Sequence, residues 1–105
     1  MNANDQFLYL TTTGRKTGLP REIEIWFVEA HGRLYILAEH GRKAQWVQNI
    51  LSNPRVKVRM VNQQSDGCAR VLDPDRDADV CLKARQLARD KYGWGEGLPV
   101  EIRLV

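Results

Sequence analysis

The stretch Leu10–Arg21, reading LTTTGRKTGLPR, gathers the cations Arg15, Lys16 and Arg21 around the glycines Gly14 and Gly18. Glycine admits positive φ and lets a backbone approach a ligand closely. The hydroxyls of Thr11, Thr12, Thr13 and Thr17 and the free N–H groups of the turn add donors. Such convergence of cations and N–H groups makes a seat for an anion. It is not a Walker loop, because no G-K-[ST] follows a four-residue gap after the glycine. A hairpin turn with solvated charges is the competing reading of the same residues. A second candidate seat is Gly41-Arg42-Lys43, which precedes a short helix and sets cations beside its N-terminal N–H groups. In that helix Trp46 and Asn49 are three apart and share a face.

Other reactive constellations are missing from the chain. There is no Ser–His–acid set, no metal-ligand cluster and no G-x-G-x-x-G after a strand. Glu22 and Glu24 alternate on one strand, a pattern that suits solvation at least as well as proton transfer. His40 reads as a turn residue, with nothing at useful spacing to orient it as a base. An enzyme built on these residues would leave the reaction to a cofactor and supply binding and orientation.

The elements that must position these residues are mostly strands. Phe7–Thr13 is rich in β-branched and aromatic residues, and Arg21–Ala30 alternates Ile23, Ile25 and Phe27 with Glu22, Glu24 and Trp26. His31-Gly32 turns the chain into a third strand, Arg33–Ala38. Ala44–Leu51 places Ala44, Val47, Ile50 and Leu51 at helical spacing. Val56–Met60 alternates with Lys57 and Arg59 as a fourth strand, Asn62–Gly67 reads as a polar loop, and Cys68–Leu72 as a fifth strand. Asp73-Pro74-Asp75 predicts a helix start, with the helix running to about Lys91. Tyr92–Pro99 is a glycine-rich segment open to movement, and Val100–Val105 closes the chain as a sixth strand. Hairpin connections and six short strands favour a barrel in one domain over residues 1–105, with the helices outside it or in its openings.

Composition bounds the partners. With 105 residues and a net charge of +3 the chain suits an anionic partner: a phosphorylated cofactor, an acidic small molecule or nucleic acid. A nucleic-acid-binding barrel would use Arg15, Lys16, Lys57 and Arg59 as its phosphate track. Cys68 and Cys81 lack zinc or C-x-x-C spacing and read as thiols of a reducing compartment. The start lacks a signal-peptide pattern and no apolar run reaches bilayer length, so a cytoplasmic protein without stable membrane insertion is expected.

Taken together, Leu10–Arg21, the following hairpin, Trp46–Pro54 (WVQNILSNP) and the alternating strand to Met60 resemble the deazaflavin-dependent nitroreductase family, a branch of the flavin-binding split β-barrels. The resemblance covers about Phe7 to Met60. It implies a mainly β fold, a six-stranded split β-barrel with flanking helices. It implies the cofactor F420, a deazaflavin with a ribityl phosphate and an acidic oligoglutamate tail; FMN, used by related split barrels, is the alternative. On this resemblance Arg15, Lys16 and Arg21, with Thr17 beside them, grip the phosphate and tail. Gly41, Arg42 and Lys43 lie along the cofactor, and Trp46 and Asn49 stand near it. Trp26, Tyr92 and Trp94 line a substrate pocket, and Tyr92 is the expected catalytic proton source. The family's C-terminal tyrosine set is thinner here, with Tyr92 and Trp94 in its place. The implied activity is hydride transfer to a small-molecule electron acceptor such as a quinone, an activated alkene or a nitroaromatic, by a possible homodimer. A non-catalytic cofactor carrier is the other reading of the same residues.

Overall fold

The computed structural model describes residues 6–61 and 63–105. Its strands are β1 (Phe7–Thr13), β2 (Pro20–Trp26), β3 (Val28–Ala30), β4 (Arg33–Ala38), β5 (Arg55–Met60), β6 (Gln63–Val71) and β7 (Leu98–Leu104). The helices are α1 (Gln45–Ser52), preceded by a 3-10 turn at Gly41–Lys43, and α2 (Ala78–Tyr92). All seven strands form one antiparallel sheet in the order β2-β1-β5-β6-β7-β4-β3. The sheet is curled into a half-barrel, because its two edges, β2 and β3, are consecutive in the chain.

Seven strands rather than the expected six follow from a break at Phe27. Up to Trp26 the chain pairs with β1, and from Val28 it pairs with β4 at the opposite edge. Between them the Phe27 backbone has no strand partner. Its N–H donates to the Tyr92 hydroxyl at 3.1 Å, and its carbonyl accepts from that hydroxyl at 2.6 Å and from Lys91 Nζ at 3.1 Å. Buried backbone groups need partners, and here the end of α2 provides them. The expected polar loop at 62–67 is also strand from Gln63 onward; residue 62 lies outside the described residues. Gln63, Gln64 and Asp66 are exposed in this strand, so their polarity signals exposure rather than a loop.

The alternation of each strand sorts side chains to two cores. Leu8, Leu10, Leu34, Ile36, Val58 and Ile102 point inward, where Val47 and Ile50 of α1 plug the barrel. Tyr35 and Leu37 point outward from β4 and are covered by Cys81, Ala84 and Ala88 of α2. Being buried on both faces, β4 reads as a nearly continuous apolar run. The expected helix start at Asp73 proves to be a turn. The Asp73 carboxylate accepts from the N–H groups of Asp75 at 2.9 Å and Arg76 at 3.4 Å, and the helix begins at Ala78. The segment after α2 is anchored: Arg85 Nη2 donates to the Gly97 carbonyl at 3.0 Å. A Cβ on Gly95 would lie 2.3 Å from the Arg85 carbonyl oxygen, so only glycine lets Trp94 sit this close to α2.

Two polar clusters fix the geometry around the site. Asn49, 5% exposed, accepts from Arg15 N–H at 3.2 Å and Arg15 Nη1 at 2.9 Å, and donates to the buried Thr12 hydroxyl at 3.1 Å. These bonds tie the β1–β2 loop to α1. Under α2, buried Glu101 accepts from Arg33 at 2.9 Å and from the Tyr35 hydroxyl at 2.9 Å. Burial, then the hydrogen bond and charge of Glu101, push the Tyr35 pKa up to about 12.

Replacing Asn49 with alanine should lower urea stability by about 2 kcal/mol, since it leaves the buried Thr12 hydroxyl unpartnered. The native state holds the Tyr35 proton more tightly than the unfolded chain does, so this group's contribution to stability is lost as pH rises from about 10 to about 12. Urea titrations across that window should show a shallower decline for Tyr35→Phe than for the wild type.

Candidate functional site

Two cavities meet at Trp46. The first, about 390 Å³, lies between the β1–β2 loop and α1. Its walls include Arg15, Lys16, Thr17, Arg21, Trp46 and Asn49. The loop folds on itself: Gly14 N–H donates to the Leu19 carbonyl and Gly18 N–H to the Gly14 carbonyl, both at 2.8 Å, and Gly18 takes φ +73°. Arg15 is not a free cation, for its guanidinium also donates to Gln45 Oε1 at 2.7 Å besides its bond to Asn49. Lys16 and Arg21 are exposed and have no carboxylate partner among the described residues. By contrast Lys57 and Arg59, on the outer face, pair with Asp66 at 3.8 Å and Glu22 at 3.1 Å.

The second cavity, about 740 Å³, opens where the sheet splits. Trp26, Phe27, Tyr92 and Trp94 line it, with Glu39 and His40 from the connection between β4 and α1 and Trp46 from α1 itself. The rings of Trp26 and Tyr92 stack with centroids 4.5 Å apart and an interplanar angle of 4°. This stack places Trp26, half exposed, at the mouth of the cleft. The Tyr92 hydroxyl is engaged with the Phe27 backbone and also donates to the Gln6 carbonyl. Burial pushes the Tyr92 pKa up, and its backbone contact with Phe27 opposes the shift.

The structure thus brings together Arg15, Lys16, Thr17, Arg21, Trp46 and Asn49 in one cavity and Trp26, Tyr92 and Trp94 in the other. Trp46 lines both. Gly41, Arg42 and Lys43 do not line either one; they form the 3-10 turn, with Gly41 at φ +58° and both cations exposed. Sequence reasoning read His40 as a turn residue and gave Glu39 no role; both do lie in the turn after β4, and there they line the second cavity. The signal was positional: they directly follow a strand and precede the glycine that turns the chain into α1. A flat slot walled by aromatic rings, adjoining unpaired cations, fits a planar ring system that carries phosphate and carboxylate groups. That is the chemistry of a deazaflavin with a phosphorylated, acidic side chain.

Known proteins share this fold. The structure is similar to that of an F420-H2 dependent reductase (FDR-A), with 25% sequence identity over 95% of this chain and 94% of that chain and a TM-score of 0.71. An F420 reductase matches at 21% identity over 98% of this chain and 89% of its own, with a TM-score of 0.64. The heme storage protein HutZ from Vibrio cholerae, at 15% identity over 97% of this chain and 83% of its own and a TM-score of 0.77, shares the fold. The family model described as F420H(2)-dependent quinone reductase matches residues 1–102. The chain belongs to the F420H(2)-dependent quinone reductase family, F420-dependent oxidoreductases whose cofactor suits the paired cavities around Trp46.

Proposed function

We propose that this split β-barrel reduces a flat, electron-poor acceptor, a quinone in the first instance and activated alkenes or nitroaromatics beside it, in the cleft walled by Trp26, Tyr92 and Trp94. The observation that carries the reading is the junction at Trp46 of an aromatic cleft with a pocket whose Lys16 and Arg21 lack acidic partners among the described residues. When bound, F420 in its reduced form supplies the hydride. The chain's own residues bind, orient and exclude water.

In this reading Lys16 and Arg21 hold the phosphate and the acidic tail through charge-assisted contacts. Arg15 serves them indirectly: held by Asn49 and Gln45, it fixes the loop that presents its neighbours. Thr17 offers its hydroxyl at the same wall, although it also accepts from Leu19 N–H at 3.2 Å. Trp46 separates the anion seat from the ring slot. Gly41, Arg42 and Lys43 contribute at the rim, where the exposed cations add to the attraction for an acidic tail. Trp26 and Trp94 sandwich the flat acceptor against the cofactor ring. Tyr92 is a wall residue here. To give a proton it must first leave the Phe27 carbonyl, which would then keep Lys91 as its donor.

Fluorescence titration with F420 and FMN tests the cofactor side. Lys16→Ala combined with Arg21→Ala should weaken F420 at least tenfold, from loss of charged hydrogen bonds at about 1.5–3 kcal/mol each. Unchanged affinity sinks the assignment of the anion seat. Tyr92→Phe should keep the stack on Trp26 and cost about 1 kcal/mol of stability in urea, with kcat for a naphthoquinone altered by less than about threefold. A kcat loss beyond tenfold at unchanged F420 affinity would make the Tyr92 hydroxyl the proton source.

A further inference from the structure

Reduction of a quinone requires more than hydride. As the two electrons arrive, one carbonyl oxygen becomes anionic and needs a proton. Several ionisable groups line the cleft: Glu24, Tyr35, Glu39, His40 and Tyr92. The two glutamates are exposed, and an ordinary carboxyl has no proton to give at neutral pH. The Tyr35 hydroxyl is committed to Glu101 and that of Tyr92 to the Phe27 backbone. His40 is left. Histidine is the one side chain whose ordinary titration falls between pH 5 and 8.

We propose that His40 is the proton donor to the acceptor in this cleft. The inference rests on the quinone-reducing function proposed above. His40 sits in the turn after β4 with φ −96° and ψ 12°, the sparsely populated bridge region that often holds active-site residues. Its carbonyl starts the 3-10 turn by accepting from Lys43 N–H at 3.2 Å, which fixes its backbone, and its exposed side chain lines the cleft. Glu39 lies 4.0 Å from its Nε2, on the adjoining turn Arg42 and Lys43 carry opposing charge, and Glu24 and Tyr92 line the same cleft. The step balances. With hydride supplied by a reduced deazaflavin, the imidazolium N–H bond of His40 would break and an O–H bond would form on the acceptor oxygen. The proton that accompanies that hydride in the cofactor's oxidation would return to the imidazole through solvent.

The chain contains two histidines, and the other, His31, lies in the exposed β3–β4 turn outside the cleft, so it serves as an internal reference. The first readout needs no turnover. In the protein saturated with oxidised F420, a water-soluble naphthoquinone should shift the NMR signal of the His40 ring and leave that of His31 in place. His31→Gln and His40→Gln assign the signals. The second readout is kinetic. With F420H2, wild-type kcat for the quinone should fall as pH rises through the histidine range. His40→Gln should lower kcat by about a hundredfold, flatten that limb and leave F420 affinity unchanged. An unmoved His40 signal with quinone bound, or a variant within twofold of wild type with the same pH profile, overturns the proposal while the function stands. Failure of F420 to bind the wild type overturns the function and this inference with it.

Discussion

The backbone of Phe27 must find hydrogen-bond partners where the sheet divides, and the rest of the site depends on how it does so. A chain that leaves one sheet edge for the other exposes a peptide unit between them. Here Tyr92 and Lys91 reach over from the end of α2 and satisfy it. This contact sets the position of α2, brings Tyr92 onto Trp26 and holds open a cleft beside the split. The cleft is therefore a consequence of the way the sheet divides. Its aromatic walls come from β2 and from the end of a helix far away in sequence.

A second constraint fixes the other end of the site. Buried Asn49 bonds to Thr12 on β1 and to Arg15 on the loop, so a helix inside the half-barrel dictates where the loop lies. One cation of the loop is thereby used as structure, while Lys16 and Arg21 have no carboxylate partner among the described residues. Buried polar groups of this kind are costly when partly satisfied and rigidifying when fully satisfied. The loop gains a defined shape, which an anion site made of backbone N–H groups and lysine or arginine tips requires.

The two constraints converge on Trp46. It stands on α1, one turn before Asn49, and borders both cavities. A cofactor of the family's type has two unlike ends, a flat ring and an acidic side chain. On the proposed reading the protein would meet them with two unlike surfaces, stacked aromatics on one side of Trp46 and, on the other, cations without acidic partners among the described residues. The half-barrel interior carries no chemistry of its own; its packed valines, leucines and isoleucines give the rigidity that holds these surfaces in register.

The sequence alone determined the β-rich architecture, through the β-branched and aromatic run Phe7–Thr13, the alternation along Ile23–Phe27 and Val56–Met60, and the His31-Gly32 turn before Arg33–Ala38. It also determined the cation loop and the aromatic set, since the types and spacing of Arg15, Lys16 and Arg21 are local facts. Where a strand is exposed, as at Gln63–Asp66, polarity masked the strand, for periodicity reports burial and not hydrogen bonding. Only the tertiary structure decided that Pro20–Ala30 is two strands. The partner that ends the first of them, Tyr92, lies 65 residues away. The same holds for the division of labour among the cations and for the arrival of His40 at the aromatic cleft. Which guanidinium is tied down, and which rings face an imidazole, depends on long-range packing of α1 and α2, and no local pattern encodes that.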